Sequence, residues 1–151
     1  MRIDRPVTVL VVDDHAAIRA GIAKLIDAER PRLNCVGTAS TPVEALTHTR
    51  EAQPQVVVLD VNLDGEDGLA LIPALHDAAP CAVVVLTSLA DPHVALHALR
   101  QGARACLHKT APATELIAAI FAAGINDDAA GVAPPLNMGG DLSYAVGSIH
   151  P

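Results

Sequence analysis

The sequence has 151 residues, 51% of them hydrophobic, which is enough for one domain with a sizeable core but hardly for two. Its formal net charge of −7 argues against a domain that binds nucleic acid by itself, because phosphate binding needs a basic face. Trp is absent, and Phe121 and Tyr144 are the single Phe and Tyr, so the core has to be built from aliphatic side chains.

Short apolar runs alternate along the chain with amphipathic segments. Continuous apolar runs are typical of strands that are buried on both faces. The predicted strands are residues 7–12, 33–37, 56–60, 81–86 and 103–108. Apolar residues at helical spacing predict a helix after each strand. The predicted helices lie at about residues 18–26, 41–51, 69–75, 91–101 and 112–121.

Capping residues support several of these boundaries. Thr41 begins a capping box with Glu44, Asp91 precedes a first-turn proline, and Gly102 ends the fourth helix. From Gly124 onward the periodic pattern gives way to Pro, Gly and scattered polar residues. We therefore predict one domain over residues 1–123 and a flexible linker or tail over residues 124–151.

The alternation of strand and helix, repeated five times, defines the fold class. Such a pattern predicts a single doubly wound α/β domain with a five-stranded parallel sheet, right-handed crossovers and helices on both faces. In an open parallel sheet, reacting groups collect just beyond the carboxyl ends of the strands. The residues at those ends are therefore the candidates for function.

Polar residues follow four of the five predicted strands. Asp13 and Asp14 follow the first, Asp60 ends the third, Thr87 follows the fourth and Lys109 follows the fifth. Because these ends share one edge of a parallel sheet, we expect three carboxylates, a hydroxyl and an ammonium to converge. Clustered carboxylates repel one another unless a cation lies among them, and hard oxygen ligands suit Mg²⁺.

This set of groups is equipped to accept a phosphoryl group. Asp60 can act as the nucleophile, while the metal and Lys109 offset charge on the phosphoryl oxygens and Thr87 donates a hydrogen bond to one of them. Taken singly, each residue has a simpler explanation as a helix cap, a turn residue or a solvated charge. Their combination at four strand ends favours the phosphoacceptor interpretation.

In order and spacing, these residues resemble the receiver domain of two-component response regulators. The residues that carry the resemblance are Asp13-Asp14, Asp60, Thr87-Ser88 and Lys109. It covers roughly residues 7–123 and implies a flavodoxin-like (βα)5 domain that acts as a regulatory switch, with only self-phosphorylation and slow autodephosphorylation, rather than as an enzyme.

Finer features are similar to the NarL/FixJ-type subclass of response regulators. They are His15 after the acid pair, Arg19-Ala20-Gly21, and Gly102-Ala103-Arg104 leading to Leu107 and Lys109. Members of that subclass usually carry a C-terminal helix-turn-helix DNA-binding domain. No such domain follows here, so we expect a receiver fragment with part of its linker, with a stand-alone receiver as the alternative. We expect DNA contact only through an output domain outside this chain.

The resemblance implies a role for each site residue. Asp60 would take a phosphoryl group from the phosphohistidine of a sensor histidine kinase, and Thr87 and Lys109 would sense it. Mg²⁺ would be held by Asp13, Asp14, Asp60 and the backbone carbonyl of Asn62. Phosphorylation would then shift a pre-existing equilibrium and alter homodimerisation or contact with an output domain.

Two positions depart from the pattern of that family. The family usually has an aromatic residue three positions before the lysine, and here that position is Cys106. It often has proline four positions after the phosphoacceptor, and here that position is Asp64. The missing aromatic residue keeps a second hypothesis open, namely a pseudo-receiver scaffold that is controlled by protein contacts rather than by phosphorylation.

The remaining sequence features concern the compartment. Cys35, Cys81 and Cys106 lack a metal-binding spacing and fall in apolar runs, so we predict buried free thiols in a reducing compartment. No apolar run approaches the roughly 20 residues of a membrane span, and the first residues do not resemble a signal peptide. We therefore expect a cytoplasmic protein with no membrane partner.

Overall fold

The computed structural model describes residues 6–89 and 91–128. The strands are β1 (Val7–Val12), β2 (Leu33–Ala39), β3 (Val56–Asp60), β4 (Asn62–Leu63), β5 (Glu66–Asp67), β6 (Ala82–Thr87) and β7 (Ala105–His108). The helices are α1 (Ala16–Asp27), α2 (Pro42–Ala52), α3 (Ile72–Ala78), α4 (Pro92–Gln101) and α5 (Ala113–Asp128). A short 3₁₀ helix, Gly68–Leu71, precedes α3.

Five parallel strands form the central sheet in the order β2-β1-β3-β6-β7, which confirms the predicted fold class. From β1 the chain crosses to β2 on one side, and it later returns to β3 on the other side of β1. Such a reversal of direction opens a crevice at the carboxyl ends of β1 and β3, where α/β proteins bind ligands. The two remaining strands, β4 and β5, form a separate antiparallel ribbon directly after β3.

The edge strand β2 is longer than the sequence pattern predicted. It continues through Gly37 to Ala39, whereas the prediction ended at the glycine. Its pairing with β1 shifts register, because Val9 pairs with Cys35 and Leu10 with Gly37. The extra residue forms a β-bulge beside this glycine. The glycine at the predicted strand end therefore lies inside β2, next to the bulge.

The aliphatic side chains of the sheet divide between two core layers. Alternate residues of each strand point to opposite faces, which the sequence could not show because both faces are apolar. One layer packs beneath α1 and α5 and includes Val9, Val58 and Ile120. The other packs beneath α2, α3 and α4 and includes Leu10, Leu59 and Leu75, among others. No helix within the described ranges is both long enough and apolar enough to cross a membrane.

The last helix extends past the boundary that the sequence predicted at residue 124. α5 runs to Asp128, and Gly124 lies within it. A Cβ at this position would lie 2.6 Å from Cγ1 of Val7, so the missing side chain lets α5 approach β1 closely. The glycine is therefore a packing residue, although in sequence it resembles a helix terminator. Residues 129–151, which the prediction assigned to a linker or tail, lie outside the described residues.

Gly102 ends α4 in the left-handed conformation, and its substitution tests how closely the chain packs around this turn. Its φ is 112°, and a Cβ would lie 2.9 Å from Cε1 of His76. We expect Gly102→Ala to lower the free energy of unfolding by about 1–3 kcal/mol, as is usual for a strained backbone position. The matched control is Gly21→Ala in α1, where a Cβ would meet nothing within 4 Å. Gly21→Ala should raise the free energy of unfolding by about 0.5–1 kcal/mol. Urea denaturation measures both, and shifts of the same sign would contradict the prediction.

Candidate functional site

The carboxyl ends of β1, β3, β6 and β7 lie side by side, and backbone hydrogen bonds extend their alignment past the strands. The Asp13 N–H donates to the carbonyl of Ala39 at 3.0 Å. At the other end of the row, the Lys109 N–H donates to the carbonyl of Thr87 at 2.8 Å. The predicted site residues therefore stand on a fixed frame.

Lys109 contacts two carboxylates at the centre of this frame. Its Nζ lies 3.0 Å from Oδ2 of Asp60 and 3.0 Å from Oδ2 of Asp13. The exposed fractions of the side chains are 15% for Lys109, 4% for Asp60 and 1% for Asp13. The three residues come from β1, β3 and β7, and the sequence correctly predicted that they would meet. One ammonium faces two carboxylates, so the cluster keeps a net negative charge.

Burial and charge shift the pKa values of Asp60 and Lys109. Burial raises the pKa of Asp60, the Lys109 hydrogen bond opposes that rise, and the charge of Asp13 adds to it. For Lys109, burial acts to lower the pKa, but the neighbouring Asp60 and Asp13 carboxylates outweigh it and the pKa is raised. Lys109 is therefore held in its charged form.

The second acid of the pair, Asp14, faces the open side of the site. Its Oδ2 accepts a hydrogen bond of 2.7 Å from the Asp64 N–H. Its Oδ1 lies 3.1 Å from Nδ1 of His15, a ring that is also 3.4 Å from Oδ1 of Asp13. His15 was not among the predicted site residues, although its position directly after the acid pair was a signal for it.

The donor set fits a hard divalent cation. Asp13, Asp14, His15 and Asp60 each offer a ligand atom, and these atoms all lie within 4.8 Å of one another. Oδ1 of Asp14 is buried, and its neighbour Nδ1 of His15, at 3.1 Å, does not meet it in hydrogen-bond geometry. An oxygen with free capacity to accept, beside two further carboxylates, suits Mg²⁺, which prefers oxygen ligands.

The loop after Asp60 is a two-residue hairpin. Asp64 and Gly65 have φ values of 54° and 85°, the signature of a type I′ turn between β4 and β5. Proline can neither adopt this φ nor supply the N–H that Asp64 donates to Asp14. The turn therefore explains why aspartate stands where the receiver family often has proline.

Asn62 and Thr87 lie where the sequence placed them, but their hydrogen bonds are local. The Asn62 N–H donates to Oδ1 of Asp60 at 3.2 Å, and its side-chain Oδ1 accepts from the Gly65 N–H at 3.0 Å. Thr87 is fully buried, and its hydroxyl accepts from the Leu89 N–H at 2.9 Å. The hydroxyl thus closes the turn that leads towards α4.

Gly68 is a site residue that the sequence reasoning treated only as part of a loop. A Cβ at this position would collide with the backbone carbonyl of Asp60 and would lie 2.8 Å from the carbonyl oxygen of Val61. Its N–H donates to the same Val61 carbonyl. The absence of a side chain therefore allows the ribbon to fold back against the end of β3.

A family model described as the response regulator receiver domain matches residues 9–121. The chain belongs to this family. It is 32% identical over 114 residues to the oxygen regulatory protein NreC of Staphylococcus aureus strain JH9, an alignment that covers 74% of this chain and 52% of NreC. The chain thus spans about half the length of the curated relatives it matches.

Solved structures of receivers agree with this assignment. The signal receiver domain of the response regulator NarL from Mycobacterium tuberculosis matches with a TM-score of 0.74 and 29% identity, covering 80% of this chain and 98% of that one. A LuxR-family response regulator from Aurantimonas sp. SI85-9A1 matches with a TM-score of 0.76 and 26% identity, covering 93% and 95%. The predicted receiver fold and the resemblance to NarL-type regulators are confirmed.

The cysteines of the receiver differ in burial. Cys81 and Cys106 are buried as predicted, but Cys35 is only half-buried because it lies on the edge strand β2. Cys106 pairs with Val85 in the core layer beneath α4, and burial raises the pKa of its thiol to about 12. Burial also raises the pKa of Cys35. Cys106 is therefore a core residue with an unreactive thiol.

These differences predict the order in which the thiols react. At about pH 8, a thiol with a pKa of about 12 is ionised in about one molecule in ten thousand. We expect a disulfide reagent to label Cys35 first, and Cys106 only when the core opens. Peptide mapping by mass spectrometry over time measures the order. Labelling of Cys106 as fast as Cys35 would contradict the buried position.

The raised pKa of Asp60 predicts how stability depends on pH without metal. Because the folded receiver holds this proton more tightly than the unfolded chain, stability falls as the pH rises above the ordinary value of 3.8. Asn cannot ionise, so Asp60→Asn should stabilise the metal-free receiver by about 0.5–2 kcal/mol near pH 7. The gain should disappear below pH 3.8. The stability that comes from the raised pKa of Lys109 is fully present below its ordinary value of 10.5 and is lost only at higher pH, so it stays constant across this range.

Thermal unfolding across this pH range measures the effect. The control is Asp77→Asn, which makes the same change in net charge at an exposed position on α3. A similar gain from the control would attribute the stabilisation to net charge, and a loss of stability in Asp60→Asn near neutral pH would refute the prediction.

Proposed function

We propose that Asp60 accepts a phosphoryl group from the phosphohistidine of a sensor histidine kinase in a Mg²⁺-dependent reaction. The observation that carries this proposal is the position of the Lys109 ammonium, 3.0 Å from both Asp60 and Asp13. A buried carboxylate next to a fixed cation can form a bond to phosphorus while the positive charge offsets the charge of the incoming group. Membership of the receiver family supports the same reaction.

The metal would be held by carboxylates at two neighbouring strand ends. The proposed ligands are Asp13, Asp14, Asp60 and the backbone carbonyl of Asn62. When bound, Mg²⁺ supplies positive charge for the phosphoryl oxygens and orients the donor. The buried Oδ1 of Asp14 supports this assignment, because its neighbour Nδ1 of His15, 3.1 Å away, does not meet it in hydrogen-bond geometry.

The transfer itself exchanges one bond to phosphorus for another. An oxygen of Asp60 forms the new O–P bond as the N–P bond of phosphohistidine breaks, and the electron pair returns to the imidazole nitrogen, which takes a proton from solvent. The Asn62 N–H bonds Oδ1 of Asp60, and Lys109 bonds Oδ2. Both contacts fix the carboxylate in one orientation, which lowers the entropic part of the barrier.

Phosphorylation would act on the turn that follows β6. A phosphoryl group adds a charge of about −1.5 to −2 and new acceptor oxygens. The Thr87 hydroxyl would exchange its bond with the Leu89 N–H for a bond to the phosphoryl group. Leu89 has an exposed fraction of 51%, so the change would alter a surface next to the start of α4.

The output of this switch would be a change in homodimerisation or in contact with an output domain. The curated relatives are about twice as long as the matched region, which leaves room for such a domain in the whole protein. With a net charge of −7, we expect this chain to reach DNA only through that domain. The receiver acts as a regulatory switch that turns over its own phosphoryl group slowly.

Incubation with Mg²⁺ and acetyl phosphate tests the phosphorylation. We expect intact mass spectrometry to detect the addition of one phosphoryl group, which Asp60→Asn and removal of Mg²⁺ by a chelator both abolish. The matched control is Asp64→Asn, since this exposed aspartate lies outside the proposed ligand set and should still be modified. Modification of Asp60→Asn would reject Asp60 as the acceptor.

The pseudo-receiver scaffold remains the second candidate because of Cys106. A small buried thiol stands where the family usually has an aromatic residue, so coupling from Thr87 to the face of α4 has to use other contacts. The scaffold predicts no addition of a phosphoryl group under any of these conditions. It also predicts an oligomeric state that does not respond to acetyl phosphate.

A further inference from the structure

Asp13 makes three hydrogen bonds, two through its backbone and one through its carboxylate. Its N–H donates to the carbonyl of Ala39 at 3.0 Å, and its Oδ1 accepts from the His15 N–H at 2.8 Å. Its carbonyl oxygen accepts from Nη1 of Arg19, also at 2.8 Å. The first two bonds are made by neighbouring backbone, whereas the third comes from a side chain in α1.

The Asp13 carbonyl lies just past the end of the sheet. Pairing of β1 with β3 ends at Val12, which pairs with Leu59, so the ladder does not continue to this oxygen. Asp13 is almost fully buried, and a buried carbonyl needs a hydrogen-bond partner. Among the described contacts, Arg19 is that partner.

The hydrogen bond from Arg19 also affects the orientation of Asp14, because Asp13 and Asp14 share a peptide plane. The Asp13 carbonyl and the Asp14 N–H belong to one planar unit, so a guanidinium that fixes the first also fixes the second. The orientation of that plane determines where the Asp14 carboxylate points.

We propose that Arg19 is a positioning residue for the divalent-cation site, an inference that rests on the proposed function. By holding the Asp13–Asp14 peptide, Arg19 keeps both carboxylates turned towards Asp60. Residues behind the ligands of a metal commonly act in this way, and their loss typically weakens metal binding about 10–100-fold. In the described contacts Arg19 touches the carbonyl oxygen of Asp13 but neither the carboxylate oxygens of the proposed ligands nor the phosphoacceptor.

The charge of Arg19 makes this role testable by the sign of the effect. A guanidinium close to the site repels a divalent cation, so its removal should tighten Mg²⁺ binding if charge alone matters. If positioning matters, the same change should weaken binding. Arg19→Met removes both the charge and the donors while it keeps an unbranched side chain, and Arg19→Lys keeps the charge and one group able to donate.

Isothermal titration of the whole chain with MgCl₂ is the first measurement. We expect Arg19→Met to raise the Kd for Mg²⁺ about 10-fold and Arg19→Lys to recover part of that loss. The control is Arg50→Met, which removes the same charge from an exposed position on α2 and should change the Kd by less than about two-fold. At saturating Mg²⁺, Arg19→Met should change the rate of modification by acetyl phosphate only slightly. The Mg²⁺ concentration that gives half of this rate should change much more.

Hydrogen exchange of the metal-free chain is the second measurement and needs neither Mg²⁺ nor phosphorylation. We expect faster exchange for the amides of Asp14 and His15 in Arg19→Met but not in Arg50→Met.

Faster exchange together with a lack of phosphorylation would reject the proposed function and keep the positioning role. Unchanged exchange, or Mg²⁺ binding as tight as in the parent chain, would overturn the role of Arg19. Should Arg19→Met fail to fold, a parent-like Kd and exchange pattern in Arg19→Ala, which removes the charge and every side-chain donor, would overturn it as well.

Discussion

The contact of one ammonium with two buried carboxylates organises this receiver. Lys109 joins Asp13 and Asp60, so the ends of β1, β3 and β7 are connected by charge as well as by the sheet. Burial strengthens the attraction between the ammonium and the carboxylates. It also makes the charge of the second carboxylate energetically costly, because one cation cannot balance two anions. The remaining negative charge favours a divalent cation at this point and makes the site less stable than the aliphatic core on which it stands.

The loops around the cluster orient the charged groups. The type I′ turn at Asp64 and Gly65 aims a backbone N–H at Asp14, and Gly68 lets the ribbon lie against Asp60. Arg19 holds the Asp13 carbonyl through its guanidinium. The contacts at Asp64 and Gly68 use backbone groups and bring no charge to the carboxylate cluster, whereas Arg19 brings a positive charge to a backbone oxygen and not to a carboxylate. The site is thus oriented by hydrogen bonds at a rigid sheet edge, a common way to prepare a reacting group.

On the β6 side, a single turn connects this site to the protein surface. Thr87 is buried, yet its hydroxyl bonds the N–H of Leu89, whose side chain is half-exposed. Cys106 fills the core beneath α4 without an aromatic ring, so this core layer holds small side chains there, such as Ala95 and Ala98. A change at Thr87 is therefore expected to reach the surface through its own turn rather than through movement of a large side chain in the core.

The sequence by itself determined the alternation of strands and helices and the residues at the strand ends, because apolar periodicity and capping are local properties of the chain. It thereby predicted that Asp13, Asp60 and Lys109 would meet. Only the tertiary structure decided the bulge in β2, the role of Gly124 in α5, the left-handed turn at Asp64 and the bond from Arg19 to Asp13. The first three depend on a neighbour that is distant in the chain or on a backbone angle, and the fourth depends on which way a side chain turns. None of these leaves a periodic signal in the sequence.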